Sequence, residues 1–128
     1  MIVAAVVLAA GQSRRMGSEN KLLAPLGGAP LVHRAVAAAR ASRARPVVVV
    51  TGHETDRVEA ALAGLDVRTV RNPDYALGLS ASLRAGLAAL DKDGVSGALI
   101  CLGDMPRVTA ATLDRLIDAF EAGGGRAI

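Results

Sequence analysis

The sequence predicts an α/β fold: a three-layer, Rossmann-like, mostly parallel and doubly wound sheet. Three observations carry that expectation. Ile2 to Leu8, Val47-Val48-Val49-Val50 and Ala98 to Leu102 are apolar without polar alternation, as strands covered on both faces are. Between them, apolar residues recur at helical spacing. Strand and helix signals then alternate along the chain, which is the pattern of a parallel sheet. The 128 residues fit a single domain over 1–128.

The elements follow in order. Ile2 to Leu8 is the first strand. Pro30 suits the first turn of a helix whose apolar stripe is Leu31, Val32, Ala35, Val36 and Ala39. Pro46 ends any helix before the Val47–Val50 strand. Thr55 is placed to cap a helix with an inner face of Val58, Ala61, Leu62 and Leu65. A short strand is expected from Val67 to Val70, and Asn72-Pro73-Asp74 marks a turn. Leu79, Leu83, Leu87 and Leu90 then repeat at helical spacing. Asp91 to Gly94 reads as a loop before the Ala98–Leu102 strand. Thr109 caps a helix carrying Leu113, Leu116, Ile117 and Phe120, which Gly123-Gly124-Gly125 ends. Arg126-Ala127-Ile128 resembles a strand just beginning, so the domain reads as truncated at its C-terminus.

Composition narrows the function. Hydrophobic residues make up 52% of the chain and aromatics only 2%, so the core must be built from Ala, Val and Leu. The net charge of +3 comes with no basic run interleaved with aromatics, which argues against nucleic acid and suits a small anionic substrate. The single cysteine, Cys101, excludes an internal disulfide and a cysteine metal cluster, and its apolar neighbours suggest a buried thiol. His33 and His53 lack partners at ligand spacing and are assigned to structure or surface. The N-terminal apolar run has no preceding positive charge and is too short to span a bilayer, so no membrane partner and a cytoplasmic location are expected.

One segment concentrates chemistry. Val6-Val7-Leu8-Ala9-Ala10 runs into Gly11-Gln12-Ser13-Arg14-Arg15-Met16-Gly17, with Lys21 following. A strand thus delivers a glycine-rich, cationic loop to one place. Glycines let backbone N–H groups approach phosphate oxygens, and Arg and Lys neutralise their charge. The spacing is neither a Walker loop nor a dinucleotide fingerprint. In doubly wound sheets, ligands gather beyond the carboxyl ends of the strands, where both this loop and Gly103-Asp104 would lie. Read by themselves, several of these residues keep a second role. Arg14 suits solvent, Asn72 a turn, Ser80 a helix cap, and Asp104 a cap on the following turn.

Leu8 to Gly17 with Lys21, Gly78-Leu79-Ser80-Ala81-Ser82-Leu83 and Leu102-Gly103-Asp104-Met105-Pro106 together resemble the molybdenum cofactor cytidylyltransferase family of MobA-like NTP transferases. The resemblance implies a nucleotide-diphospho-sugar transferase type of fold. It implies transfer of CMP from CTP to molybdenum-bound molybdopterin, with release of pyrophosphate. It assigns catalysis to Arg15 and Lys21. It assigns nucleotide binding to Leu8, Ala9, Ala10, Gly11, Gln12, Ser13, Arg14, Arg15, Met16, Gly17, Lys21, Asn72, Gly78, Ser80, Ser82, Gly103 and Asp104. Asp104 is also the implied ligand of a Mg²⁺ cofactor. The implied partners are CTP, a phosphorylated pterin-type acceptor, and a molybdoenzyme or its chaperone.

The preference for CTP rests on Ala10, where guanylyl relatives resemble Leu-Ala-Gly-Gly. A methyl there crowds a purine edge, a difference of about 1–3 kcal/mol. Two alternatives stay open: a cytidylyl- or guanylyltransferase for another phosphorylated acceptor, such as a sugar or polyol phosphate, and a nucleotide-binding fragment without turnover.

Overall fold

A computed structural model describes residues 2–11, 21–23, 25–26, 29–91, 93–105 and 107–126. Four parallel strands form its sheet: β1 (Val3–Ala9), β4 (Val47–Thr51), β5 (Arg68–Arg71) and β6 (Gly97–Leu102), in the spatial order β5-β4-β1-β6. Between β1 and β4 lie a 3₁₀ turn (Lys21–Leu23), a two-residue antiparallel pair of β2 (Pro25–Leu26) with β3 (Ala29–Pro30), and helix α1 (Leu31–Ala41). Helix α2 (Thr55–Ala61) joins β4 to β5. A second 3₁₀ turn (Tyr75–Leu77) and helix α3 (Leu79–Ala88) join β5 to β6, and α4 (Ala110–Ala122) follows β6. The α/β, three-layer, parallel architecture is the one expected.

The central strands explain the two-sided core. Every residue of β1 and of β4 is buried. Alternate side chains feed opposite faces. Val3, Ala5, Val7 and Ala9 of β1, with Val47 and Val49 of β4, pack against Val32 and Val36 of α1, Val58 of α2, and Leu113 and Ile117 of α4. Ala4, Val6, Leu8, Val48 and Val50 face the other way, where Ala85 and Ala89 of the α3 region, Leu90 and Tyr75 cover them.

The order of the strands fixes where a ligand can sit. From β1 the chain winds outward through α1 to β4 and through α2 to β5. It then crosses back through α3, on the opposite face, to β6 on the far side of β1. The winding direction therefore reverses between β1 and β6, and the crevice beyond their carboxyl ends is the switch point of the sheet.

Several local expectations change. Pro30 does not occupy the first turn of α1 but immediately precedes it. Thr55 does not cap α2: its hydroxyl donates to the Gly52 carbonyl at 3.0 Å, and Glu54 occupies the cap position with a left-handed φ of 52°. Thr109 does cap α4, its Oγ1 accepting from the Thr112 N–H at 3.2 Å.

The leucines that repeat at helical spacing divide: Leu90 is buried just past α3 and Leu83 is half-buried, but neither the first nor the third of them is. Leu79 is 62% exposed and Leu87 42%, while Ser82 and Gly86 are buried. A Cβ at Gly86 would lie 2.5 Å from Val6 Cγ1 and 3.0 Å from Val50 Cγ2, so α3 sits too close to the sheet for leucine on that side. In α4, Leu113 and Ile117 are buried and Leu116 is exposed. Strand β6 is only half-buried, with Ile100 and Leu102 exposed, because among the described residues β1 is its one neighbour in the sheet. Cys101 is half-buried accordingly, and burial still pushes its thiol pKa up, which favours the unreactive form. Residues 127–128, expected to begin a strand, lie outside the described residues.

Ion pairs fasten the outer elements. The Arg68 guanidinium on β5 donates to both carboxylate oxygens of Asp93, at 2.7 and 3.2 Å, and to the Ala89 carbonyl. Arg43, after α1, donates from its backbone N–H to Asp114 and from its side chain to Asp118 on α4.

Candidate functional site

Four strand ends are stitched together at the switch point. The Gly103 N–H, just past β6, donates to the Leu8 carbonyl near the end of β1 at 3.0 Å. The His53 N–H, two residues past β4, donates to the Ala10 carbonyl at 3.2 Å. The Asn72 N–H, just past β5, donates to the Thr51 carbonyl at 2.7 Å. Each bond continues the sheet ladder beyond its last regular pair, so the backbone of all four strand ends forms one shelf.

Leu8, Ala9 and Ala10 are buried, Ala10 at 1% exposure within the cluster beneath α3. Gly11, exposed, follows that cluster, and among the described residues no heavy atom beyond its chain neighbours lies within 4 Å of where a Cβ would stand. Gln12, Ser13, Arg14, Arg15, Met16 and Gly17 lie outside the described residues. Lys21 opens the first 3₁₀ turn, and its side chain also lies outside them. Its neighbour Leu22 is buried in the core and reaches within 3.1 Å of the Cβ position of Gly103. That same position is 3.2 Å from the Leu8 carbonyl. A glycine at 103 therefore lets the turn holding Lys21, the end of β1 and the start of the β6 loop close on one point.

Asp104 follows Gly103 and is half-buried in a turn closed by the Met105 N–H donating to the Leu102 carbonyl at 3.2 Å. Among the described residues, no group of three or more His, Cys, Asp and Glu side chains is arranged to hold a metal ion. Asp104 as a single carboxylate matches the sparse protein ligation of Mg²⁺, which keeps several waters and takes phosphate oxygens.

Asn72 and Ser82 come together. Asn72 is 5% exposed and Ser82 3%, and the Asn72 amide donates to the Ser82 hydroxyl at 2.9 Å. The Asn72 carbonyl oxygen accepts from the Asp74 N–H at 3.0 Å, so the expected turn forms around it. This pair pins the β5 loop to α3. Gly78 precedes α3 with φ 112°, a left-handed value that glycine tolerates, and Ser80 is exposed on the first turn.

The structure adds Gly52, His53 and Tyr75 to this edge. The His53 and Tyr75 rings are 5.8 Å apart and tilted by 49°. A Cβ at Gly52 would fall 2.5 Å from Tyr75 Cβ. Position in the chain was the available signal: residues directly after a parallel strand lie on the ligand edge. His33, on α1, is half-buried and remote in sequence from the carboxyl ends of the four sheet strands β1, β4, β5 and β6.

Among the described residues, no helix is long and apolar enough to cross a membrane. Comparison with known proteins identifies the family. A bifunctional protein GlmU from Kineococcus radiotolerans is 43% identical over 123 residues, which are 94% of this chain and 25% of that protein. A nucleotidyl transferase structure from Methanothermobacter superposes with a TM-score of 0.82 at 40% identity, covering 91% of this chain and 57% of the other. The manganese complex of Rv0371c from Mycobacterium tuberculosis H37Rv gives 0.74 at 31% identity, covering 95% and 61%. The chain thus spans about a quarter of the GlmU relative and about three fifths of these two solved chains. The description "MobA-like NTP transferase domain" matches residues 5–128. The chain belongs to that family and is a nucleotidyltransferase domain.

Proposed function

We propose that this domain transfers CMP from CTP to a phosphorylated acceptor, molybdenum-bound molybdopterin, and releases pyrophosphate. The observation that carries this reading is the stitched switch point. The Gly103 N–H to Leu8 carbonyl bond holds the end of β1, from which Gly11 departs, beside the Gly103-Asp104 turn after β6, and this supports a triphosphate loop and a carboxylate meeting there.

Nucleotidyl transfer asks the protein mainly for alignment and charge. An acceptor phosphate oxygen forms a bond to the α-phosphorus, and the bond from that phosphorus to the bridging oxygen of the β-phosphate breaks. Both partners must be held in line while negative charge is neutralised. Backbone N–H groups of Gly11 to Gly17 cradle the triphosphate. Arg15 and Lys21 neutralise it, with Gln12, Ser13, Arg14 and Met16 completing the loop. Asp104 holds the divalent cation, Mg²⁺, which supplies further positive charge to the phosphates when bound. A mycobacterial structure similar to this chain is a complex with manganese, which supports use of a divalent ion. Ala9 and Ala10 present backbone to the base, and the buried Ala10 methyl raises the floor of the base site, which favours a pyrimidine. Asn72, Gly78, Ser80 and Ser82 form its far wall.

Calorimetric titration of Mg²⁺ complexes of CTP, GTP, ATP and UTP tests the donor. CTP is expected to bind tightest, and equal or tighter GTP binding would sink the assignment. Lys21→Ala weakens CTP binding by about 1.5–3 kcal/mol if Lys21 bonds phosphate. In Asp104→Asn, Mg²⁺ no longer strengthens CTP binding. An equal Mg²⁺ enhancement in both proteins returns Asp104 to a turn role. Pyrophosphate release with molybdopterin set against sugar and polyol phosphates tests the acceptor.

A further inference from the structure

We propose that His53 and Tyr75 are positioning residues, a ring-on-ring latch that fixes the two base-facing segments of the site against each other. The inference rests on the nucleotide reading above, which places Ala9-Ala10-Gly11 on one side of the base and Asn72 to Ser82 on the other.

Four contacts define the latch. The His53 N–H holds the Ala10 carbonyl at 3.2 Å. The His53 ring leans on the Tyr75 ring at 5.8 Å. Tyr75 packs on the cluster that contains Leu8, Ala10 and Val50. Its Cβ occupies the space that any side chain at residue 52 would need, so Gly52 is the socket in which Tyr75 sits. Tyr75 also opens the turn that leads into α3: the Gly78 N–H donates to the Tyr75 carbonyl at 3.3 Å, and the Leu77 N–H to the Asp74 carbonyl at 2.9 Å.

The β1 end and the loop before α3 belong to strands separated by β4, so β4 and the residues that follow it lie between them. Their spacing is transmitted through Gly52 and His53. A side chain that sets this spacing acts on the base and leaves the triphosphate loop alone. Tyr75 and Phe120 are the only aromatics among Phe, Tyr and Trp in the chain, and Tyr75 is the one at the ligand edge.

The test measures CTP·Mg²⁺ and inorganic tripolyphosphate·Mg²⁺ binding by calorimetry with the full chain. Tyr75→Ala is expected to weaken CTP about tenfold and tripolyphosphate by less than about twofold, the scale of a lost aromatic pair. Tyr75→Phe restores CTP binding because it keeps the ring. His53→Ala weakens CTP by about threefold, and the double variant falls short of the product because both changes remove one contact. Gly52→Ala, which displaces Tyr75 without truncating it, gives the same selective loss of CTP. The latch is overturned if CTP binding is unchanged in Tyr75→Ala and Gly52→Ala, or if both ligands weaken by the same factor. Failure of the wild-type chain to bind CTP overturns the nucleotide reading and the latch together. Normal wild-type binding with unaltered variants overturns the latch alone.

Discussion

The two faces of the sheet are covered in opposite ways. On one, α1, α2 and α4 fill the gap with branched side chains: Val32, Val36, Val58, Leu113 and Ile117. On the other, α3 comes down with Ser82 and Gly86 innermost and Leu79 and Leu87 turned to solvent. The first face is held by the volume it encloses, and its helices can adjust by small rotamer shifts. The second is held by distance: the helix rests almost on the strands and has nothing to compress. A helix seated that way carries its N-terminus to a fixed place, and here that place is the wall of the candidate site.

Four substitutions sharpen or break this contrast, each read by chemical denaturation. Gly86→Val should cost most, about 3 kcal/mol, at the top of the overpacking range, because its Cβ would collide with Val6 and Val50. If it costs less than 1 kcal/mol, α3 is not held by distance. Val36→Ala, on the opposite face, should cost about 2 kcal/mol from lost burial plus a small cavity. Its penalty should stay below that of Gly86→Val, although it removes atoms rather than adding them. Ser82→Ala should cost about 1–2 kcal/mol by leaving the buried Asn72 amide without its acceptor. A neutral result would show that the pair contributes nothing to docking α3. Leu79→Gln should stay within about 0.5 kcal/mol, since that leucine faces water. A large loss there would show that Leu79 is packed rather than exposed.

Much of the fold was legible. The unbroken apolar runs of β1 and β4 announced two-sided burial, and the Val32-Ala35-Val36-Ala39 stripe gave the inner face of α1 directly. Thr109 announced its helix because a hydroxyl at that point had one use. What was not legible has specific causes. Leucine spacing in α3 gives a period but not which side faces the sheet, and the small residues that decide it leave no hydrophobic signal. Thr55 looked like a cap, yet its hydroxyl found the Gly52 carbonyl first. The β2–β3 pair is two residues long on each side and bounded by prolines, too short for any pattern.

In the candidate site, the glycines and Asp104 stood out because their chemistry is local. His53 did not, because its tie to Ala10 runs through the backbone and its ring partner lies more than twenty residues along the chain. Asn72 and Ser82 were each read as separate contacts. The structure shows them bonded to each other.

The pairing of β1 with β6 brings Val3 beside Gly97 and so closes a loop containing most of the molecule. Such a closure is entropically costly and slow relative to the local windings of β1, α1 and β4. The proposed ligand crevice, between the Leu8–Gly11 end of β1 and the Gly103-Asp104 turn, lies on that same seam and needs both strands in place. An assembly intermediate with β1, β4 and β5 in place would have most of a core but no ligand crevice. Nucleotide binding should therefore appear only in the final kinetic phase of refolding. Bound nucleotide, having no affinity for the open seam, should slow its reopening and protect β6 amides from hydrogen exchange before those of any other strand.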